Sequence, residues 1–206
     1  MDQNYQIIKL TNKISRDLSA KYHYLHSKPS NIKQSFGLLD SKNNLIGFCV
    51  FGVPHSHTLL SGIAGKTFKN RILELKRLWI DDSAPRNTES WFISRCLKSV
   101  RCAYVVSFTD PNYGHVGYVY QATNWIYTGK SNDRRVLVPK NLNGRHPPSL
   151  TYGKTKSDLI KEYGTEALEY IEVSGKHRYI YIPKRGKTHK KLLSKLKYKQ
   201  ETYPKL

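Results

Sequence analysis

The stretch ILELKRLWIDDSAPRNTESWFISRCLKSV (72–100) sets the architecture. Its first nine residues, 72–80, form an apolar run broken only by long charged side chains and closed by two aspartates, the pattern of a buried strand. DDSAPRNTES (81–90) is a polar loop, and WFISRCLKSV (91–100) carries its apolar residues at helical spacing. Downstream, CAYVVSFTD (102–110) reads as a buried strand, GHVGYVYQATN (114–124) as a helix and WIYTG (125–129) as the start of a further strand. Upstream, residues 5–10 read as a short strand. Residues 13–25 read as a helix, through Ile14, Leu18, Tyr22 and Leu25, with Asn12 as its cap. Residues 35–39 and 45–53 form a hairpin about the polar turn 40–44. Two strands followed by strand, helix, strand, helix, strand imply an α/β (α+β) chain with a mixed central sheet flanked by helices.

With 206 residues the chain has room for one domain and a tail. Lys and Arg number 35 against 15 Asp and Glu, a net charge of +20, which favours a polyanionic partner. The 38% hydrophobic and 12% aromatic content excludes a wholly disordered basic coat protein. Three cysteines without Cys-x-x-Cys spacing exclude a disulfide framework and a four-cysteine zinc site, and fit a reducing cytoplasm. Residues 1–20 hold no signal-peptide core, and no stretch approaches the ~18 apolar residues of a membrane span, so a soluble intracellular protein with no membrane partner is expected.

Charge has one focus. Residues 184–199, KRGKTHKKLLSKLKYK, carry Lys184, Arg185, Lys187, Lys190, Lys191, Lys195, Lys197 and Lys199 with no acid among them. Leu192, Leu193 and Leu196 form an apolar stripe, so the segment is either a helix docked on the domain with solvated lysines or a grip on phosphate backbone; the total charge favours the grip. Just upstream, His177, Tyr179 and Tyr181 alternate with basic residues and either stack on bases or fill a strand face. The NLNGRHPPSLTYGKT connection, with Gly144, Pro147, Pro148 and Gly153, divides a core (1–145) from a C-terminal extension (146–206) of a strand and a basic helix packed on that core.

Chemistry concentrates at two loops. A loop entering a helix N-terminus gathers backbone N–H groups and the positive end of the helix dipole. Arg86, Asn87, Thr88, Glu89 and Ser90 therefore make either a phosphate site, without the usual glycines, or a plain N-cap. Asp110 ends a strand at the edge where open α/β sheets place their chemistry, beside His115. It serves as a proton acceptor for an attacking amine or merely forms an Asx turn on Pro111-Asn112-Tyr113. Tyr118 and Tyr120, two apart, cannot share a helix face. His23 with His26, and His55 with His57, are spaced suggestively for a metal but read better as surface or capping residues, and no metal is assigned.

The runs LELKRLWIDDSAPRNTESWFISRCLK, VVSFTDPNYGHVGYVYQATNWIYTG and KHRYIYIPKRGKTHKKLLSKLKY resemble the Mom-type DNA modification proteins of bacteriophages, a divergent branch of the GCN5-related N-acetyltransferases. The resemblance spans roughly residues 20 to 199. It implies that residues 84–90 hold the donor, acetyl-CoA or another acyl- or glycyl-type donor. Tyr120-Gln-Ala-Thr-Asn124-Trp125 resembles the superfamily's Tyr-x-x-x-Gly-Phe segment, which makes Tyr120 the acid for a leaving thiolate. The implied reaction places a carbamoylmethyl group on adenine N6 of double-stranded DNA, protecting phage DNA from restriction in the cytoplasm of the infected bacterium. Asp110 is then the base or N6 orienter, with Ser107 beside it if the strand ends or bulges between them. His23 and Tyr24 are assigned to the substrate side, and Arg77 to orienting an acid. Alternatives from other classes are an acyltransferase for a protein or small amine, and a non-catalytic nucleic-acid-binding phage protein. The assembly state is open, a dimer included.

Overall fold

The computed structural model describes residues 5–142, 150–151 and 154–205. In chain order the elements are β1 (Gln6–Lys9), α1 (Asn12–Tyr22), β2 (Ile32–Leu39), β3 (Leu45–Gly52), α2 (His57–Ala64), β4 (Ile72–Ile80), α3 (Thr88–Ser99), β5 (Tyr104–Thr109), α4 (Tyr118–Ala122), β6 (Ile126–Lys130), β7 (Arg134–Pro139), α5 (Lys156–Tyr163), β8 (Leu168–Val173), β9 (His177–Tyr181) and α6 (Gly186–Leu193). Seven strands share one sheet in the order β1-β2-β3-β4-β5-β9-β6, and β7 and β8 pair in a separate ribbon. β1 to β4 run antiparallel in succession, β4 and β5 run parallel, and β9 is antiparallel to β5 and β6.

Alternation along the strands gives the sheet two covered faces. Cys49 and Phe51 of β3, Leu75 of β4 and Val105 of β5 pack with Phe92, Ile93, Cys96 and Leu97 of α3 and Tyr120 of α4. On the opposite face Phe48 and Val50 of β3 pack with Leu18 of α1 and with Trp79. Farther along that face Ile72, Tyr104 and Val106 pack with Leu60 and Ile63 of α2 and Leu192 of α6. All three cysteines are buried thiols. No helix of the described residues is long and apolar enough to cross a membrane.

What matters for a site is where the sheet opens. β4 and β5 pair at Ile72↔Tyr104, Leu73↔Val105 and Glu74↔Val106, and β4 continues to Ile80 without β5. Beyond Glu74, β4 bulges against β3, with Val50 opposite Arg77 but Phe51 opposite Leu75, so Lys76 is the extra residue. The two parallel strands diverge there and leave a cleft through the sheet.

The strand expectations hold for β1 to β6, and β4 occupies the residues read for it. Four helical and domain readings change. The cap of α1 is Thr11, whose hydroxyl accepts from the Ile14 N–H at 3.3 Å, and the helix stops at Tyr22 rather than 25. α3 starts at Thr88, with Asn87 in the cap position at φ 69° and no side-chain cap bond. α4 is confined to Tyr118–Ala122 because Gly114 (φ 69°) and Gly117 (φ 84°) hold left-handed backbone that interrupts a longer helix. The segment expected as an extension packed on the core instead supplies β9, which lies inside the main sheet between β5 and β6. Gly144, Pro147, Pro148, Gly153 and the boundary after residue 145 fall outside the described residues. The β7–β8 ribbon, α2 and α5 carry no clear periodic signal, since each is short and half-exposed.

Candidate active site

The diverging strands enclose a cavity of about 520 Å³ lined by residues of β4, β5, the segment after α1, the loop before α4, and Lys176. Because the cavity passes through the sheet, side chains from both faces line it. Ser107 belongs to the α3 face with Val105, and Asp110 to the α1 face with Val106 and Phe108; β5 ends at Thr109, between them. The strand end thus brings both into one cavity, as their spacing requires.

On the α1 face, Asp110 is 1% exposed. Burial alone pushes its carboxyl up, but the Lys176 ammonium 3.1 Å from Oδ2 and two donors from Asn112, backbone at 3.1 Å and Nδ2 at 2.7 Å, outweigh that and hold it below the usual carboxylate range. The Asx turn and the acid site therefore coexist, and Asp110 is an ionised acceptor at neutral pH. His23 is buried, and burial followed by the nearby Arg77 charge lowers its imidazole to about 3. Its Nδ1 accepts the Leu25 N–H at 3.2 Å, so the neutral ring carries its proton on Nε2 and acts as a donor. Tyr24 stacks beside it at 4.4 Å, its hydroxyl pushed up to about 12 by burial and by the Asp110 charge.

Arg77 differs from its expected role. Its guanidinium donates to Ser27 Oγ at 2.9 Å and to the Lys76 carbonyl at 2.6 Å, so it braces the segment after α1 rather than an acid. Arg77 Nε and Thr109 Oγ1 are buried without a hydrogen-bond partner among the described residues, and both residues line the cavity. Orphaned polar groups of this kind carry a desolvation cost that a polar ligand would relieve.

On the α3 face, the Ser107 hydroxyl is shared between the Leu75 carbonyl at 3.2 Å and the Tyr120 hydroxyl at 2.8 Å. Burial drives the Tyr120 phenol well up, so it stays protonated. Tyr120 is buried while Tyr118 is 59% exposed, as two residues spaced two apart must divide. In the first turn of α3, Glu89 lines the cavity, whereas Thr88 is buried with its hydroxyl on the Pro85 carbonyl at 2.7 Å and Ser90 donates to the Asn87 carbonyl at 3.0 Å. The Thr88 and Ser90 hydroxyls are thus spent on backbone carbonyls of the preceding turn, and neither caps a helix N–H. Arg86 is exposed beside the Asn87 turn, at the N-terminus of α3.

All eight basic residues of 184–199 are exposed. α6 docks through Leu192, whose carbonyl accepts from the Tyr104 hydroxyl at 2.8 Å. This block therefore sits on the same sheet face as Asp110 but at the other end of β5, six residues or roughly 20 Å away at strand rise. Lys66 and Arg71 are exposed on that side too. Tyr179 is fully buried and Tyr181 packs against the core, so neither ring is offered to a base. His55 Nε2 lies 2.9 Å from Ser30 Oγ, and among the described residues no three His, Cys, Asp or Glu side chains converge on a metal position.

Lys176 is not evident in the sequence because its partner Asp110 comes from a distant strand end, and nothing in Ser174-Gly175-Lys176 marks a pair. A weak signal is Gly175, where a Cβ would collide with the Ser131 carbonyl, so that the lysine is held where the chain passes close to itself.

Residues 4–205 match the Mom protein family. The methylcarbamoylase mom of Escherichia phage Mu is 27% identical over 198 residues, which cover 93% of this chain and 80% of that protein. Among solved structures, Arabidopsis thaliana NAA60 in complex with acetyl-CoA superposes with a TM-score of 0.51 at 11% identity, over 87% of this chain and 98% of that one. NAA60 in complex with a bisubstrate analogue gives a TM-score of 0.50 at 11% identity with the same coverage. These likenesses establish the fold, that of the GCN5-related N-acetyltransferases.

Proposed function

The chain belongs to the Mom protein family, and on that basis we propose that it is a DNA-modifying transferase that places a carbamoylmethyl group on adenine N6 of double-stranded DNA. The observation that carries this reading is the division of the cleft by the sheet. An ionised Asp110 with a neutral His23 donor lies on the face bearing the basic block, and a protonated Tyr120 with the α3 N-terminus lies on the other. Acceptor and donor enter from opposite faces and meet between β4 and β5.

Adenine must leave the duplex to reach such a cavity, and exposed lysines that hold phosphates position the strand for that. Asp110 accepts a hydrogen bond from the N6 amine, aligns it, and takes a proton as N6 acquires its fourth bond and becomes strongly acidic. His23 Nε2–H and the unpaired Arg77 Nε–H are donors for acceptor atoms of the base or of the transferred group. Tyr120 is the donor of a proton to a leaving anion.

Arg86 and the α3 N-terminus fit the anionic portion of an acyl-CoA, with the Asn87 turn at φ 69° reversing the chain where no glycine is present. Bound there, an acyl-CoA would supply an acyl carbon and give an N6-amide, whereas a carbamoylmethyl product requires a donor whose leaving group sits on the CH2 next to the carboxamide. Mass spectrometry of nucleosides from plasmid DNA co-expressed with the protein tests the reading. A new deoxyadenosine adduct supports it, and the adduct mass separates a carbamoylmethyl from an acetyl group. Unmodified DNA, with modified protein or small amines in its place, overturns it.

A further inference from the structure

The mouth of the cleft on the α1 face carries a cluster of rings that the proposed reaction does not use. Tyr24 and Tyr113 are 42% and 41% exposed, and His115 is exposed beside them, so these rings do not fill a core. They come from two separate segments, the turn after α1 and the loop between β5 and α4. Tyr24 lies 5.1 Å from Tyr113 and 5.6 Å from His115, centroid to centroid, inclined to both at 57° and 51°. Tyr113 and His115 are within 23° of parallel with centroids 6.5 Å apart. Together the three rings form an exposed aromatic surface at the cleft mouth, of the kind on which a nucleobase stacks.

The backbone supports the same arrangement. The Asp110 side chain and carbonyl cap the turn that bears Tyr113, through the Asn112 and Tyr113 N–H groups. Gly114, at φ 69° with nothing within 4 Å of a would-be Cβ, reverses the chain so that the rings of Tyr113 and His115 come within 6.5 Å of one another. The residue that touches the reacting amine in the proposed chemistry thereby also fixes the rings around it. The cavity lining balances Lys76, Arg77 and Lys176 against Glu74, Glu89 and Asp110, so it offers no net negative charge to the other common guest of an aromatic cluster, a cationic ligand.

We propose that Tyr113 and His115, closed at one edge by Tyr24, form the receptor that stacks on the extruded adenine and delivers its N6 to Asp110. The inference rests on the DNA-modification reading and adds to it the residues that hold the base outside the helix. Base stacking on aromatic side chains is worth enough that losing two rings lowers modification of duplex DNA roughly 10-fold or more.

The test compares the full-length wild type with Tyr113→Leu/His115→Leu and with Tyr113→Phe/His115→Phe on two oligonucleotides. One is a perfect duplex, and in the other each adenine is opposite a mismatch, which removes most of the cost of extrusion. Adducts are counted by nucleoside mass spectrometry and duplex affinity is measured across a salt series. The expected result is a loss in the leucine variant on the perfect duplex, a smaller loss on the mismatched one, retention in the phenylalanine variant, and an unchanged salt slope in all three. Wild-type rates in the leucine variant, while the wild type itself makes the adduct, overturn the receptor and leave the DNA-modification reading standing. Equal losses in the leucine and phenylalanine variants also overturn it, since the rings would then not matter. A wild type that leaves no adduct refutes the underlying reading.

Discussion

Replacing Lys176 by methionine removes the cation from a buried carboxylate while keeping the aliphatic stem. At 3.1 Å the Asp110–Lys176 attraction amounts to roughly 5 kcal/mol at an effective dielectric of about 20. Most of that is offset when the lysine, 30% exposed, is rehydrated in the unfolded chain, and Asp110 keeps both Asn112 donors. The expected net loss is about 1–3 kcal/mol at pH 7, below the ~3–5 kcal/mol of a fully buried broken pair. For a chain of this size that lowers Tm by roughly 3–10 °C. The pH dependence carries the sign. In the wild type the folded carboxyl titrates below its unfolded value, so its contribution is present above the unfolded pKa of about 3.9 and is lost as pH falls through the folded value. In Lys176→Met only burial and Asn112 remain to oppose each other, the carboxyl titrates higher, and the deficit against wild type narrows as pH falls from 7 to 3 and protonation removes the buried charge. Urea unfolding of both proteins at pH 7, 5 and 3 measures this gap. A gap that stays constant across the series, or is absent at pH 7, refutes the assignment of Lys176 as the counter-ion of Asp110.

Three further outcomes follow from other parts of the molecule. The His23 ring, lowered to about 3, shows no imidazole titration by NMR between pH 5 and 8. Because the unfolded ring binds a proton near 6.5, the stability contributed by this group declines as pH falls below that value. Tyr104→Phe removes the bond to the Leu192 carbonyl at 2.8 Å; it costs about 1 kcal/mol and raises hydrogen exchange of α6 amides before those of β5, whereas uniform exchange would contradict local docking of that helix. Neutralising Lys190, Lys191 and Lys195 to Gln weakens duplex binding and reduces the slope of log affinity against log salt by about 0.9 for each phosphate no longer neutralised, while leaving the Tm unchanged to within a degree or two.

Strands with long-range partners are legible where apolar content is continuous. Residues 72–80 and 102–110 announce themselves because both of their faces are covered, so six of the nine positions in each are apolar. β9 reads as a strand, but not as a member of the sheet, because no local feature says which partner a strand will find; only the fold inserts it between β5 and β6. Helix ends differ where single backbone conformations rule. Gly117 at φ 84° and Asn87 at φ 69° set starts that apolar spacing alone places elsewhere. At the site, Asp110 and Tyr120 are legible as strand-end acid and helix tyrosine, and the structure brings both to one cavity. The role of Arg77 is not, since its partner Ser27 lies in an irregular turn with no pattern. Lys176 and the Tyr113–His115 pair are invisible for the same reason: each acquires meaning only from a side chain brought in by another strand or loop.

The placement of a charged acceptor on one side of the divided cleft is probed by Asp110→Asn, which keeps the side chain's size and its place beside Asn112 while removing the charge. Nucleosides from DNA exposed to equal amounts of wild type and variant, with equal folding confirmed by Tm, give the comparison. An ionised Asp110 at the reacting amine requires an N6 adduct of deoxyadenosine with the wild type and at least a ~100-fold lower yield with the variant, the scale of a lost acid–base group. Equal adduct yields from the two proteins would contradict it.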